Sequence, residues 1–173
     1  MQERWPLTTL TRDPRADHDR SSRRSGLVRL ATAAGVAAGV VLVDQLTKWW
    51  AVSRLSSGSI HVIWKLDFEL TRNTGSSFSL LQGSTGLLTL VVVIAAVVLG
   101  VLAWRAPTVG RSVLYGLILG GALGNLADRV FRGGAVVDFV ALHFWPTFNV
   151  ADACIVVGCV LLVISLLRGV RTA

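Results

Sequence analysis

Four apolar runs constrain this chain more than any other feature: Leu27 to Val43, Leu87 to Trp104, Val113 to Ala127 and Val150 to Leu167. A helical membrane span needs about 17 to 25 residues, so each run is near the lower limit and must borrow flanking residues. With 173 residues, 53% of them hydrophobic, and a mean hydropathy of +0.62, the chain is too apolar for an ordinary soluble domain. The reading is a mostly α membrane protein with four transmembrane helices and little room for anything else.

A net charge of +7 raises the question of nucleic acid, but the positions of the basic residues argue against such a partner. Arg4, Arg12, Arg15, Arg20, Arg23, Arg24 and Arg29 precede or enter the first run, Arg105 and Arg111 lie between the second and third, and Arg168 and Arg171 follow the fourth. An even number of spans places these regions on one side, which then holds eleven of the seventeen Lys and Arg residues. The positive-inside rule makes that side, and both termini, cytoplasmic. Residues 1–25 mix Arg with Asp13, Asp17 and Asp19, lack apolar periodicity and read as a disordered tail near anionic lipid. The four-helix transmembrane core is then 26–168, followed by a short cytoplasmic tail, 169–173. A cleaved signal peptide is the rival reading of the N-terminus, yet the first run leads into "DQLTKWW" rather than small residues. Cys154 and Cys159 lie five apart on one helix, match no zinc pattern and read as small buried apolar residues.

This topology leaves two outward loops, Val52 to about Thr85 and Val130 to Thr147. In "IHVIWKLDFEL" the residues Ile60, Val62, Trp64, Leu66, Phe68 and Leu70 alternate with mostly polar neighbours, the period of an amphipathic strand. "AVVDFVALHFW" is also strand-like and follows the turn signal Gly133-Gly134. Together they predict a small extracytoplasmic β-sheet resting on lipid or on the helices. Trp49, Trp50, Trp64 and Trp145 suit an outer interfacial belt, and Trp104 an inner one.

Asp44, Asp128, Asp138 and Asp152 all fall at this outer face. Three have inexpensive structural explanations. Asp44 and Lys48 are spaced i, i+4 and predict an ion pair anchoring the first span. Asn125 and Arg129 share that spacing with Asp128 beside them, so "GNLADR" reads as a polar knot closing the third span. Asn149 fits an N-cap with Asp152 in the first turn of the fourth helix. Gly116, Gly120 and Gly124, at intervals of four, permit close helix approach and draw Asn125 and Arg129 into the bundle. Asp138 is harder to explain, because it interrupts Val136, Val137, Phe139 and Val140. A solvated strand position is one reading; paired with Asp152 it could instead form a carboxylate dyad, whose like charges push the two ionisations apart.

Such a pair hydrolyses an amide without a covalent intermediate. The ionised carboxylate takes a proton from attacking water, and the protonated one polarises the carbonyl and supplies the leaving amine. Spacing permits the two to meet without requiring it. A serine nucleophile among Ser76, Ser77 or Ser79 with Lys48 or Lys65 as base fits less well, because "TGSSFS" lacks a Gly-x-Ser-Gly turn. His18, His61 and His143 are scattered, no His-Glu-x-x-His motif exists, and neither a metal nor another cofactor is expected.

"DQLTKWW", "RNTGSSFSLL", "GGALGNLADR", "VVDF" and "FNVADACIVVG" stand in the order and rough spacing of the lipoprotein signal peptidases, also called signal peptidase II. The chain resembles that family from about Leu27 to Leu167. The resemblance implies four transmembrane helices with a small outer sheet, in the bacterial cytoplasmic (inner) membrane. It implies an aspartyl endopeptidase that removes signal peptides from diacylglyceryl-modified prolipoproteins, cutting on the N-terminal side of the lipid-modified cysteine. It makes Asp138 and Asp152 the catalytic dyad. Asn73, Gly75, Asn125, Arg129 and Asn149 match positions that line the site, bind substrate or hold globomycin-type inhibitors, and Asp44, Lys48 and Asp128 match supporting positions. Ser76 and Ser77 replace alanines common after the "NTG" element, and the Arg-rich tail lies outside the shared core. A monomer is expected. The competing function is a small carrier or proton relay using the same acids, although relay acids belong near the bilayer midplane. A purely structural subunit would leave Asp138 unexplained.

Overall fold

The computed structural model describes residues 14–74 and 85–170. Four helices, α1 (Pro14–Leu55), α2 (Thr85–Trp104), α3 (Val109–Phe131) and α4 (Val150–Val170), carry a four-stranded sheet of β1 (Ile60–Ile63), β2 (Leu66–Asn73), β3 (Val136–Leu142) and β4 (Trp145–Phe148). Helices satisfy every backbone N–H and C=O within one segment, as a lipid-facing chain requires. Three stretches are long and apolar enough to cross a membrane: Ser22–Leu55, Val109–Phe131 and Val150–Arg168. The apolar part of α2 among the described residues, Leu90–Trp104, is shorter. Against the four spans expected, four helices are present, and three of them are long and apolar enough to cross a membrane.

The first helix differs from expectation at both ends. It begins at Pro14, inside the stretch read as an unstructured tail, and runs to Leu55, so Asp44 lies well within it rather than at its end. Proline suits a first helical position, where its missing N–H costs nothing. At about 1.5 Å per residue the 42 residues reach about 63 Å, roughly twice the hydrocarbon core.

The central helix is α3, and glycine is the reason it can be. A Cβ on Gly116 would come within 2.6 Å of the Ala33 carbonyl oxygen on α1, and one on Gly120 within 2.8 Å of the Ala37 oxygen. On the opposite side Gly121 meets Ala151 and Ile155 of α4, and Gly158 of α4 meets Leu117 and Ile118. These contacts run α1 parallel and α4 antiparallel to α3. The Gly116, Gly120 and Gly124 stripe therefore packs as its spacing predicts. The N-terminus of α3 is capped by Thr108, whose hydroxyl accepts the Arg111 N–H at 3.3 Å.

All strand pairs are antiparallel in the order β1-β2-β3-β4. Each predicted strand is in fact a hairpin. "IHVIWKLDFEL" turns at Trp64 and Lys65, with Trp64 at φ 50°, and "AVVDFVALHFW" turns at His143 and Phe144. Phe68 of β2 and Phe139 of β3 pack with Trp50 of α1, ring centroids 5.4 and 6.2 Å away, over Ala51 and Leu55. Trp50 accordingly belongs to the core beneath the sheet, not to an interfacial belt. Trp49, Trp64 and Trp145 are exposed as a belt requires. Cys154 is half-buried but Cys159 is exposed, contrary to its reading as a buried residue.

Candidate active site

A buried ammonium organises the end of the bundle beneath the sheet. Lys48 Nζ lies 2.9 Å from Asp44 Oδ2 and 3.0 Å from Asp128 Oδ2, and donates to Asn125 Oδ1 at 3.0 Å. Its three N–H donors thus meet three acceptors. Lys48, Asp44 and Asp128 are all 0% exposed. The i, i+4 ion pair read from the sequence is present, and a second carboxylate from α3 joins it.

Carboxylate oxygens of Asp44 and Asp128 also tie this cluster to the backbone. Asp44 Oδ1 accepts the Ala151 N–H at 3.0 Å, in the first turn of α4, and Asp128 Oδ2 accepts the Val137 N–H of β3 at 2.9 Å. Gln45 Nε2 lies 3.1 Å from Asp128 Oδ1 and 3.2 Å from Asp44 Oδ2, while Arg132 Nε is 3.3 Å from Asp128 Oδ1. Neither Gln45 nor Arg132 stood out in the sequence. Gln45 sits inside "DQLTKWW" and was the available signal; Arg132 follows "GNLADR" by one turn.

Asn125 passes the network to the acids of interest. Its Nδ2 donates to Asp152 Oδ1 at 2.8 Å while its Oδ1 faces Lys48. Asn149 then links both acids. Its Nδ2 donates to Asp138 Oδ1 at 2.6 Å, and its backbone N–H donates to Asp152 Oδ2 at 3.3 Å. Asn149 Oδ1 accepts the Asp152 N–H at 2.9 Å, completing a reciprocal N-cap for α4. The capping explanation of Asp152 and its place beside Asp138 therefore hold together. Asn73, on β2, donates to Asp138 Oδ2 at 3.1 Å.

The two acids differ in environment. Asp138 is 2% exposed and Asp152 half-buried. Burial pushes the Asp138 carboxyl above its ordinary range; the Asp152 charge adds to the rise, while hydrogen bonds from Asn73 and Asn149 and the Lys48 charge oppose it. An apolar hollow of about 330 Å³, lined by Trp145, Phe148, Val156 and Val157 among others, reaches Asp152. Among the described residues, half-buried Arg129 donates to the Asn125 carbonyl oxygen at 3.3 Å and does not join the acid pair. Gly75 and the serines at 76, 77 and 79 lie outside the described residues. Among the described residues no group of three or more His, Cys, Asp or Glu has metal-binding geometry, and no buried side-chain N or O lacks a partner.

Apolar helices that hold two neighbouring carboxyl groups under a small sheet, one of them where burial opposes ionisation, have the makings of an aspartic peptidase of the membrane. The family model described as signal peptidase (SPase) II matches residues 36–168, and the chain belongs to that family. It is 46% identical over 150 residues to a lipoprotein signal peptidase of Rhodococcus jostii, covering 79% of this chain and 73% of that one. A lipoprotein signal peptidase of Bifidobacterium longum is 45% identical over 148 residues, covering 82% and 81%. A solved bacterial membrane enzyme, determined by the in meso method, superposes with a TM-score of 0.72 at 30% identity over 80% of this chain and 94% of its own. The chain is a membrane peptidase whose family processes the signal peptides of prolipoproteins.

Proposed function

We propose that this peptidase removes the signal peptide from diacylglyceryl-modified prolipoproteins, cutting on the N-terminal side of the lipid-modified cysteine, with Asp138 and Asp152 as its catalytic pair. The observation that carries this reading is Asn149, which hydrogen-bonds to both carboxylates at once. Asp138, whose ionisation burial opposes, is the proton-bearing member and Asp152 the base. Asp152 takes a proton from water as the oxygen attacks the scissile carbonyl, which Asp138 polarises. When the C–N bond breaks, the amine nitrogen takes one proton from the pair. The pair thus begins and ends the cycle with one proton, and the second water hydrogen leaves on the new carboxyl group.

Asn125 and Asn149 orient the acids, while Asn73 and Arg129 offer donors to the substrate backbone or to a globomycin-type inhibitor; Gly75 is assigned to the same site by family resemblance. Asp44, Lys48 and Asp128 act as the supporting frame. The apolar hollow beside Asp152 suits a substrate delivered from lipid. The enzyme works as a monomer in the bacterial inner membrane, with the acids at the extracytoplasmic face and the arginine-bearing end and both termini in the cytoplasm.

The test is cleavage of a purified diacylglyceryl prolipoprotein in detergent by wild type, Asp138→Asn and Asp152→Asn, with folding checked by thermal unfolding. Release of the signal peptide by wild type and by neither folded variant is expected. Turnover near wild type in either variant refutes the assignment.

A further inference from the structure

At the opposite end of the bundle from the acids, the seam between α1 and α2 forms a groove of about 420 Å³. Leu30, Val97, Gly100 and Val101 give it apolar walls, and Trp104 and Arg105 close one end. A Cβ on Gly100 would meet nothing nearer than Leu30 Cδ1 at 4.0 Å, so the groove is open beside this residue. Trp104 is held in place by α1: a Cβ on Gly26 would come within 2.7 Å of the indole Cε2. The Arg105 guanidinium has no acidic partner among the described residues. Arg111, by contrast, is tied to α4 through Ser165 Oγ at 3.0 Å and the Ser165 carbonyl at 3.1 Å. Arg24 and Arg29 line a second cavity of about 400 Å³ at this end of α1, with Val28 and Val109.

This is the shape and charge order of an amphiphile with an anionic head. We propose that the α1–α2 seam is a binding site for an anionic glycerophospholipid, one acyl chain lying along Leu30, Val97 and Gly100 and the phosphate meeting Arg105. Trp104 sits at the ester level between the two, where an amphipathic ring is favoured. Arg24 and Arg29 raise the local positive potential and select against zwitterionic heads. Along α1, Arg24 and Asp44 are about 30 Å apart at 1.5 Å per residue, so this site occupies the leaflet opposite the candidate active site.

The experiment uses the full chain purified in a neutral detergent and titrated with phosphatidylglycerol or with phosphatidylcholine of identical acyl chains. Bound lipid is read by native mass spectrometry and the unfolding midpoint by thermal scan. Wild type is expected to retain phosphatidylglycerol preferentially at low stoichiometry and to gain thermal stability from it. Arg105→Gln is expected to weaken phosphatidylglycerol binding about fivefold, from roughly 1 kcal/mol per basic residue at an anionic surface. Gly100→Leu, which fills the groove and leaves every arginine in place, is expected to weaken both lipids. Arg168→Gln, also at this end of the bundle but on α4, should leave binding unchanged. Equal retention of the two lipids by wild type overturns the proposal. So does a loss in Arg168→Gln matching that in Arg105→Gln, which would mean diffuse attraction, and so does undiminished binding in Gly100→Leu.

Discussion

Replacing Lys48 with methionine tests the buried cluster most directly. Methionine keeps an unbranched chain of similar length, so the change is chiefly the loss of one charge and three donors. Lys48 Nζ lies 2.9 and 3.0 Å from carboxylate oxygens of Asp44 and Asp128, with all three residues 0% exposed. At an effective dielectric constant near 20, each such contact is worth about 5 kcal/mol of attraction, offset by the desolvation of the ions. Breaking a buried pair from one side costs about 3 to 5 kcal/mol. The lower end applies, because Asp128 keeps Arg132 and the Val137 N–H, and Asp44 keeps the Ala151 N–H. For a chain of this size about 3 kcal/mol lowers the unfolding midpoint by about 6 to 12 °C. Thermal unfolding in detergent measures it. The decisive comparison is Lys48→Met with Asp44→Asn: Asn keeps an oxygen for the Ala151 N–H and removes the stranded charge. The double variant should be more stable than the two single losses add up to, by about 1 to 3 kcal/mol. Strict additivity would refute the claim that the charges are coupled.

Four further outcomes follow from the geometry. Gly116→Ala should destabilise by about 1 to 3 kcal/mol, because its Cβ would come within 2.6 Å of the Ala33 oxygen, whereas Gly35→Ala, with nothing within 4 Å, should be neutral or gain about 1 kcal/mol in helix propensity; paired unfolding scans decide. Because Asp138 has a raised pKa, its contribution to stability is present below the unfolded-state value and lost as pH rises through the folded-state value, so a pH series of unfolding midpoints should lose that slope in Asp138→Asn; the cleavage rate should fall over the same alkaline limb. Asp67 is the opposite case, since hydrogen bonds from His143 and His61 hold its pKa below 3.8; the stability it contributes is present above that value and lost as pH falls through the folded-state pKa, and unfolding in acid should be less steep in Asp67→Asn. Asn149→Ala removes the α4 cap and the Asp138 contact, costing about 1 to 2 kcal/mol and speeding hydrogen exchange in the first turn of α4.

Local spacing made some of this visible in the sequence and long-range contact hid the rest. The Asp44 and Lys48 pair and the Asn149 cap lie within one helical turn, where period alone brings side chains together. The bond from Lys48 to Asn125 joins residues 77 apart, which no periodicity reports. Apart from the neighbouring Asp44, the partners of Gln45 are likewise on another helix, where spacing along the chain does not show them. The hairpin at Trp64 looks like one strand in the sequence because antiparallel partners such as Ile60 and Phe68 are both even-numbered, so alternation continues unbroken through the turn. The extension of α1 back to Pro14 leaves no signal in the sequence for a different reason. A helix already nucleated by a membrane span adds residues at little cost, and needs no apolar period to do so.

The glycines of α3 and the acids of the site are consequences of one another. Gly124 has Asp44 Oδ2 where its Cβ would be, at 2.7 Å, so any side chain there would push Asp44 off the α3 surface. Asp44 would then lose the Ala151 N–H that fixes the start of α4, and with it the position of Asp152. Close approach also excludes water, which leaves Lys48 as the counter-charge for Asp44 and a shared one for Asp128. Asn125 can therefore present its Nδ2 to Asp152 only because its oxygen is occupied by Lys48. An amide oriented in this way cannot rotate without placing NH₂ against the ammonium, so the donor facing Asp152 is set by a charge on α1. The same close packing buries Asp138, where ionisation is opposed, while Asp152 stays half-buried. Small residues on a helix stripe thus give two chemically identical carboxyl groups different surroundings, one buried and one half-open.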